Sequence, residues 1–98
     1  MKENSYYRFF KNLSNKSKFN IVMSLRDGPM SVSDITKKVG EEQSKVSHNL
    51  RSLRSCNILK VKQDGKKRIY SLNGKTVIPI IQIVEKHVKN NCPRKCCK

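Results

Sequence analysis

The stretch that most restricts what this chain can become runs from Ser31 to Leu53, SVSDITKKVGEEQSKVSHNLRSL. Ile35 and Val39 stand four residues apart and share one face of a short helix. Gly40 then supplies the left-handed backbone position at which helices commonly end. Glu41-Glu42-Gln43 is too short a link to carry the chain away, so a second helix has to pack across the first. On that second helix Val46, Leu50 and Leu53 form an apolar stripe, while Ser44, Ser47, His48 and Arg51 form a polar stripe on the opposite side. The apolar stripe belongs in a core. The polar stripe offers hydroxyls, an imidazole and a guanidinium, groups suited to phosphate or to the O6/N7 edge of guanine. This pattern predicts a helix-turn-helix whose second member is a recognition helix.

A polar stripe by itself describes any surface helix, and the sequence downstream gives it meaning. Residues Cys56 to Leu72 alternate apolar and polar on both sides of Asp64-Gly65, with Ile58, Leu59 and Val61 before the pair and Ile69, Tyr70 and Leu72 after it. Asp-Gly between two such runs signals a tight hairpin, because both residues tolerate positive φ. The hairpin carries Lys60, Lys62, Lys66, Lys67 and Arg68, so a basic arm follows directly on the recognition helix. Lysines that merely keep a ribbon solvated would explain the charge but not its position. A helix-turn-helix followed at once by a basic hairpin is a winged helix.

The run from Ser44 to Leu72, with its Val-Ser-His-Asn-Leu-Arg-Ser-Leu-Arg core, Asn57-Ile58-Leu59, charged wing and Arg-Ile-Tyr-Ser-Leu ending, resembles the ArsR/SmtB family of winged-helix transcriptional regulators. The similarity extends over residues 5 to 90. It implies a mainly α fold with a small β-hairpin, in the order α-α-α-α-β-β-α, assembled as a dimer. It also implies a homodimeric repressor of double-stranded DNA, with two recognition helices in successive major grooves. Gln43, Ser44, Lys45, Ser47, His48 and Arg51 are expected at the major groove. Lys62, Lys66, Lys67 and Arg68 are expected on the backbone or minor groove.

Two metal sites known in that family do not carry over. Metal- and arsenic-sensing members often have Cys-Val-Cys where this chain has Ser31-Val32-Ser33, and hydroxyls are poor ligands for soft ions. At the second site, on the last helix, Gly74 and Thr76 replace the first ligand pair and Asn90 replaces a carboxylate, leaving His87 alone. One ligand of four does not hold zinc.

Flanking segments are expected to supply the dimer. Tyr6, Phe9, Phe10 and Leu13 sit at helical spacing in a first helix, better suited to core or subunit packing than to a ligand. Ser14 or Asn15 can cap a second helix in which Phe19, Val22 and Met23 face inward, before a turn at Asp27-Gly28-Pro29. Ser31 or Ser33 can cap the third. After Asn73-Gly74, Thr76 can cap a final helix with Pro79 in its first turn and aliphatic residues around most of its circumference. A small domain cannot bury that much surface alone. Ile80, Ile81, Val84 and Val88 are therefore expected to pair with Tyr6, Phe9, Phe10 and Leu13 and with their own copies across a two-fold axis.

Residues 1–90 are expected to form this one domain and residues 91–98 a flexible, basic, cysteine-rich tail. Cys92, Cys96 and Cys97 lie beside Arg94, Lys95 and Lys98, and neighbouring positive charge favours the thiolate. A soft-metal or arsenite site, a redox switch, or a tail with no specific role all fit this spacing. Cys56 reads as a small core residue.

Twenty-two Lys and Arg against seven Asp and Glu give a formal charge of +15, which points to a polyanionic partner. The longest apolar run is too short to span a bilayer, and the polar start Met1-Lys2-Glu3-Asn4-Ser5 has no signal-peptide character, so no membrane role and a cytoplasmic location are expected. No acid/base pair, activated nucleophile or phosphate loop suggests an enzyme. The competing functions are a thiol-based sensor acting through the tail, and a winged helix that binds RNA or protein.

Overall fold

The computed structural model describes residues 3–91. Its elements follow in the order α1 (Glu3–Ser14), α2 (Lys16–Ser24), a 3-10 turn (Leu25–Asp27), β1 (Met30–Ser31), α3 (Val32–Val39), α4 (Gln43–Ser55), β2 (Leu59–Asp64), β3 (Lys67–Leu72) and α5 (Val77–Asn91). Of the two residues able to cap α2, Asn15 does so, its Oδ1 accepting from the Lys18 N–H at 3.1 Å. Ser31 caps α3 in the same way, accepting from the Asp34 N–H at 3.2 Å. Each supplies an acceptor to a first-turn N–H that has none within its own helix. Gly40 ends α3 at φ +71°, its N–H donating to the Thr36 carbonyl at 3.0 Å. The chain can therefore turn sharply into α4, as the sequence predicts.

The hairpin is present, and the structure changes its description in two ways. Asp64 pairs with Lys67, so the central residues of the turn are Gly65 and Lys66. Only Gly65 has positive φ, at +63°, the pattern of a type II′ turn; Asp64 is the last residue of β2. The sheet also has three strands in the order β1-β3-β2, because Met30 and Ser31 pair with Tyr70 and Ile69. That short edge strand fixes the base of the wing to the start of α3.

The core joins Ile21, Val22 and Leu25 of the second helix and its following turn with Ile35, Val46, Leu50, Leu53, Ile58, Leu59, Tyr70, Leu72 and Val77. Phe19, expected inside, is 45% exposed, and Met23 is half-buried. Ile21 takes the inward position instead. The helix is apolar on more than one side, and Ile21, Val22 and Leu25 match the core at i, i+1 and i+4 whereas Phe19 lies on the opposite side from Ile21. Cys56 is half-buried against the core, as expected of a small residue. On α5 only Val77 is buried, while Ile83, Val84 and Val88 are exposed. An Arg26–Glu85 ion pair joins this helix to the 3-10 turn. Among the described residues, no helix is long and apolar enough to cross a membrane.

Leu50→Ala is expected to destabilise the fold by about 2 to 5 kcal/mol, because it empties a completely buried site. Gly40→Ala is expected to cost about 1 to 2 kcal/mol from its left-handed backbone alone. Urea denaturation followed by circular dichroism, at fixed chain concentration, checks both; a loss below about 1 kcal/mol at Leu50 would contradict the packing described.

Candidate nucleic-acid interface

The inner side of α4 is fully committed. Val46, Leu50 and Leu53 have no solvent exposure, so the helix cannot rotate about its axis without exposing them. Its other side is thereby fixed outward. Gln43, Ser44, Lys45, His48 and Arg51 are exposed there, and Ser47 lies half-buried at the edge. Lys45 is partly engaged, its Nζ 3.4 Å from the Glu41 carboxylate one turn back. Glu42, the N-cap, makes no side-chain cap, and no acidic residue stands in the first turn. The start of α4 therefore combines uncapped backbone N–H groups and the positive end of the helix dipole, which together favour an anion.

One residue of this helix was not singled out from sequence. Asn49 is buried, and among the described residues its Nδ2 has no hydrogen-bond partner. Its spacing from Val46 and Leu53, three and four residues, places it on the core side, and that spacing was the signal available.

The wing carries its cations around the tip rather than on one face. Directly opposed residues share a sheet face, so Lys62 with Ile69 and Lys67 with Asp64 lie on the outer face. Arg68, opposite Gln63, lies on the face that carries Val61 and Tyr70 towards the core, and Lys66 sits in the turn. All four are exposed. The three ion pairs seen among the described residues use Glu85, Asp27 and Glu41, so none of them neutralises Arg51 or these wing cations. The outward side of α4 and the wing thus form a surface rich in uncompensated donors and positive charge.

Nothing comparable is built for a metal. Among the described residues no group of three His, Cys, Asp or Glu side chains is placed to hold one. The Ser31 hydroxyl is already engaged in capping α3, and His87 and Asn90 are exposed on α5. Cys92, Cys96 and Cys97, on which the metal and redox expectations rest, lie outside the described residues. The helix α5 itself extends through Asn91, the first residue assigned to the tail.

A second surface is apolar. An open groove of about 900 Å³ lies between α5 and the first two helices, and Phe10, Leu13, Ile80, Ile81, Val84 and Val88 line it. Tyr6 and Phe9 lie beside it in a neighbouring pocket that shares Phe10 and Ile80. All eight residues expected to form a subunit contact are therefore brought into one area. Phe9, Leu13 and Ile81 also pack against the chain's own core, whereas Phe10 is 63% exposed and Val84 54%.

Comparison with known proteins matches residues 15–61 to the model of the bacterial regulatory protein, arsR family. The HTH-type transcriptional regulator NmtR of Mycobacterium tuberculosis is 40% identical over 60 residues, which are 61% of this chain and 50% of NmtR. The transcriptional repressor SmtB homolog of Synechocystis sp. is 29% identical over 83 residues, 85% of this chain and 63% of that protein. Across the curated relatives the chain spans 50% to 63% of their lengths. Among solved structures, the homodimeric winged helix-turn-helix DNA-binding domain of Mb0332 from Mycobacterium bovis superposes with a TM-score of 0.75 at 24% identity, covering 86% of this chain and 81% of that one. The fold is that of a winged helix-turn-helix, and the matched segment contains both helices of the motif and the first three residues of β2, Leu59 to Val61. With five helices and a small antiparallel sheet among its described residues, this chain has the winged helix-turn-helix fold, and over residues 15–61 it matches the arsR family of bacterial regulatory proteins.

Proposed function

We propose that the chain is a sequence-specific regulator of transcription that binds double-stranded DNA as a homodimer and acts as a repressor, without a catalytic step. The observation that carries this reading is the exposed polar side of α4, held outward by three completely buried residues on the opposite side. In this reading Gln43, Ser44, Lys45, Ser47, His48 and Arg51 meet the major groove. Arg51 is the residue best suited to read a base, since its planar fork matches guanine O6 and N7. Lys62, Lys66, Lys67 and Arg68 hold the wing to phosphates, which positions α4 without reading sequence. The formal charge of +15 supports a polyanion as partner.

Dimerisation through the apolar groove gives the second half of the reading. Exposed aliphatic and aromatic groups across α5 and α1 lie together along one groove, the kind of apolar surface that marks a protein contact. A copy related by a two-fold axis would cover it and would set two α4 helices side by side along a duplex. The homodimeric state of the Mb0332 domain supports this arrangement. The NmtR and SmtB-homolog names support regulation and repression respectively.

Arg51→Ala is expected to weaken binding to a selected operator by about 1 to 3 kcal/mol and to relax its sequence preference. Lys67→Ala is expected to leave preference intact and to flatten the dependence of log K on log salt by about 1.8, one phosphate contact being lost in each of the two protomers. Fluorescence anisotropy with specific and scrambled duplexes at several salt concentrations reads both. Equal losses on both duplexes for Arg51→Ala would remove it from base reading, and tighter binding of duplex RNA than of DNA would overturn the choice of partner. Sedimentation at micromolar concentration is expected to give a dimer of the 11.3 kDa chain, and Val84→Asp to give the monomer. A monomeric unaltered chain would contradict the two-fold assembly.

A further inference from the structure

A pocket of about 500 Å³ opens between α1, the start of α2 and the last turn of α4, away from the apolar groove. Its lining includes Arg8, Lys11 and Lys18 but no Asp or Glu. Its floor is Asn12, only 5% exposed and hydrogen-bonded at both ends of its amide. Asn12 Nδ2 donates to Cys56 Sγ at 2.9 Å, while Oδ1 accepts from Lys18 Nζ at 2.8 Å and from Ser52 Oγ at 3.2 Å. That network fixes the Lys18 ammonium over the floor with two of its three N–H donors still available. Lys11 Nζ is held 5.9 Å from the centre of the Tyr7 ring, and the three described ion pairs do not involve Arg8, Lys11 or Lys18. The positive end of α2 adds to the same side, with no acidic residue in its first turn.

We propose that this pocket binds a phosphate group. Three cations from one helix and its successor, around a concavity lined by no carboxylate, repel one another unless an anion lies between them. A fork-shaped guanidinium, two ammonium groups and a helix start are a donor set for a tetrahedral oxyanion rather than for a planar or apolar ligand. Ser52 and Ser55, on the α4 side of the pocket, follow His48 and Arg51 by one turn. The pocket therefore continues the outward side of α4, and Asn12 ties it to that helix through Ser52. The phosphate can come from the backbone of bound duplex or from a free phosphate-bearing molecule; the chemistry is shared.

Inorganic phosphate titrated into the full ¹⁵N-labelled chain, at constant ionic strength with chloride, tests this without any DNA, so failure of the DNA-binding reading would leave the result standing. Saturable shifts are expected at Arg8, Lys11, Lys18 and the Asn12 side-chain amide. The Arg8→Gln/Lys11→Gln double variant, which alters only exposed side chains, is expected to weaken the effect about tenfold. Lys66→Gln/Lys67→Gln on the wing is expected to leave it unchanged. Shifts that do not saturate, or that respond equally to both variants, would overturn the pocket. The salt dependence of duplex binding then separates the sources. A slope flatter by about 1 to 2 in the double variant assigns the site to DNA backbone, and an unchanged slope with phosphate binding lost assigns it to a free ligand.

Discussion

Burial of one side of α4 is the constraint on which the rest depends. Val46, Leu50 and Leu53 pack into the same cluster as Ile21, Ile35, Ile58 and Leu59, so this short helix is held from α2, from α3 and from β2. A fully buried aliphatic side chain contributes about 1.5 to 3 kcal/mol, and three on one helix make rotation or withdrawal of that helix costly. Side chains on the opposite face are consequently presented in fixed positions. Presentation of that kind is what contact with base edges requires, because discrimination rests on hydrogen bonds of defined geometry.

The wing owes its position to the same core. Leu59, Tyr70 and Leu72 anchor its base, and beyond Val61 and Ile69 the ribbon carries charged or polar residues that have no interior to enter. Pairing of Met30 and Ser31 with β3 ties that base to α3. Motion of the wing is thus expected to concentrate at its tip, where Lys66, Lys67 and Arg68 stand. Ion pairing does little to restrain them, since the described carboxylates that form ion pairs do so elsewhere.

Much of this was legible in the sequence because the features are local and periodic. The α3–Gly40–α4 unit needs only helical spacing and one left-handed residue, and the hairpin needs only alternation around a turn. What escaped was decided by contacts distant in the chain. Two residues are too few to show a strand period, so β1 emerges only from its pairing with Tyr70 and Ile69. In α2 the apolar residues fit two phases, and the core on the other side chose Ile21 over Phe19. The turn slid by one residue because Asp64 pairs with Lys67. Of the surface, the polar stripe of α4 was legible residue by residue except at Ser47, which the neighbouring body half covers. Asn12 and Asn49 escaped because polarity suggests exposure, whereas their helical positions face inward.

The outward side of α4 against base pairs is the central claim, and methylation protection tests it most directly. Dimethyl sulfate attacks guanine at N7 in the major groove and adenine at N3 in the minor groove, so it reports which groove is occupied. On a fragment selected from genomic DNA, the account predicts guanine protection in two patches about one helical turn apart. Unprotected guanines throughout a site that the protein otherwise occupies would contradict it.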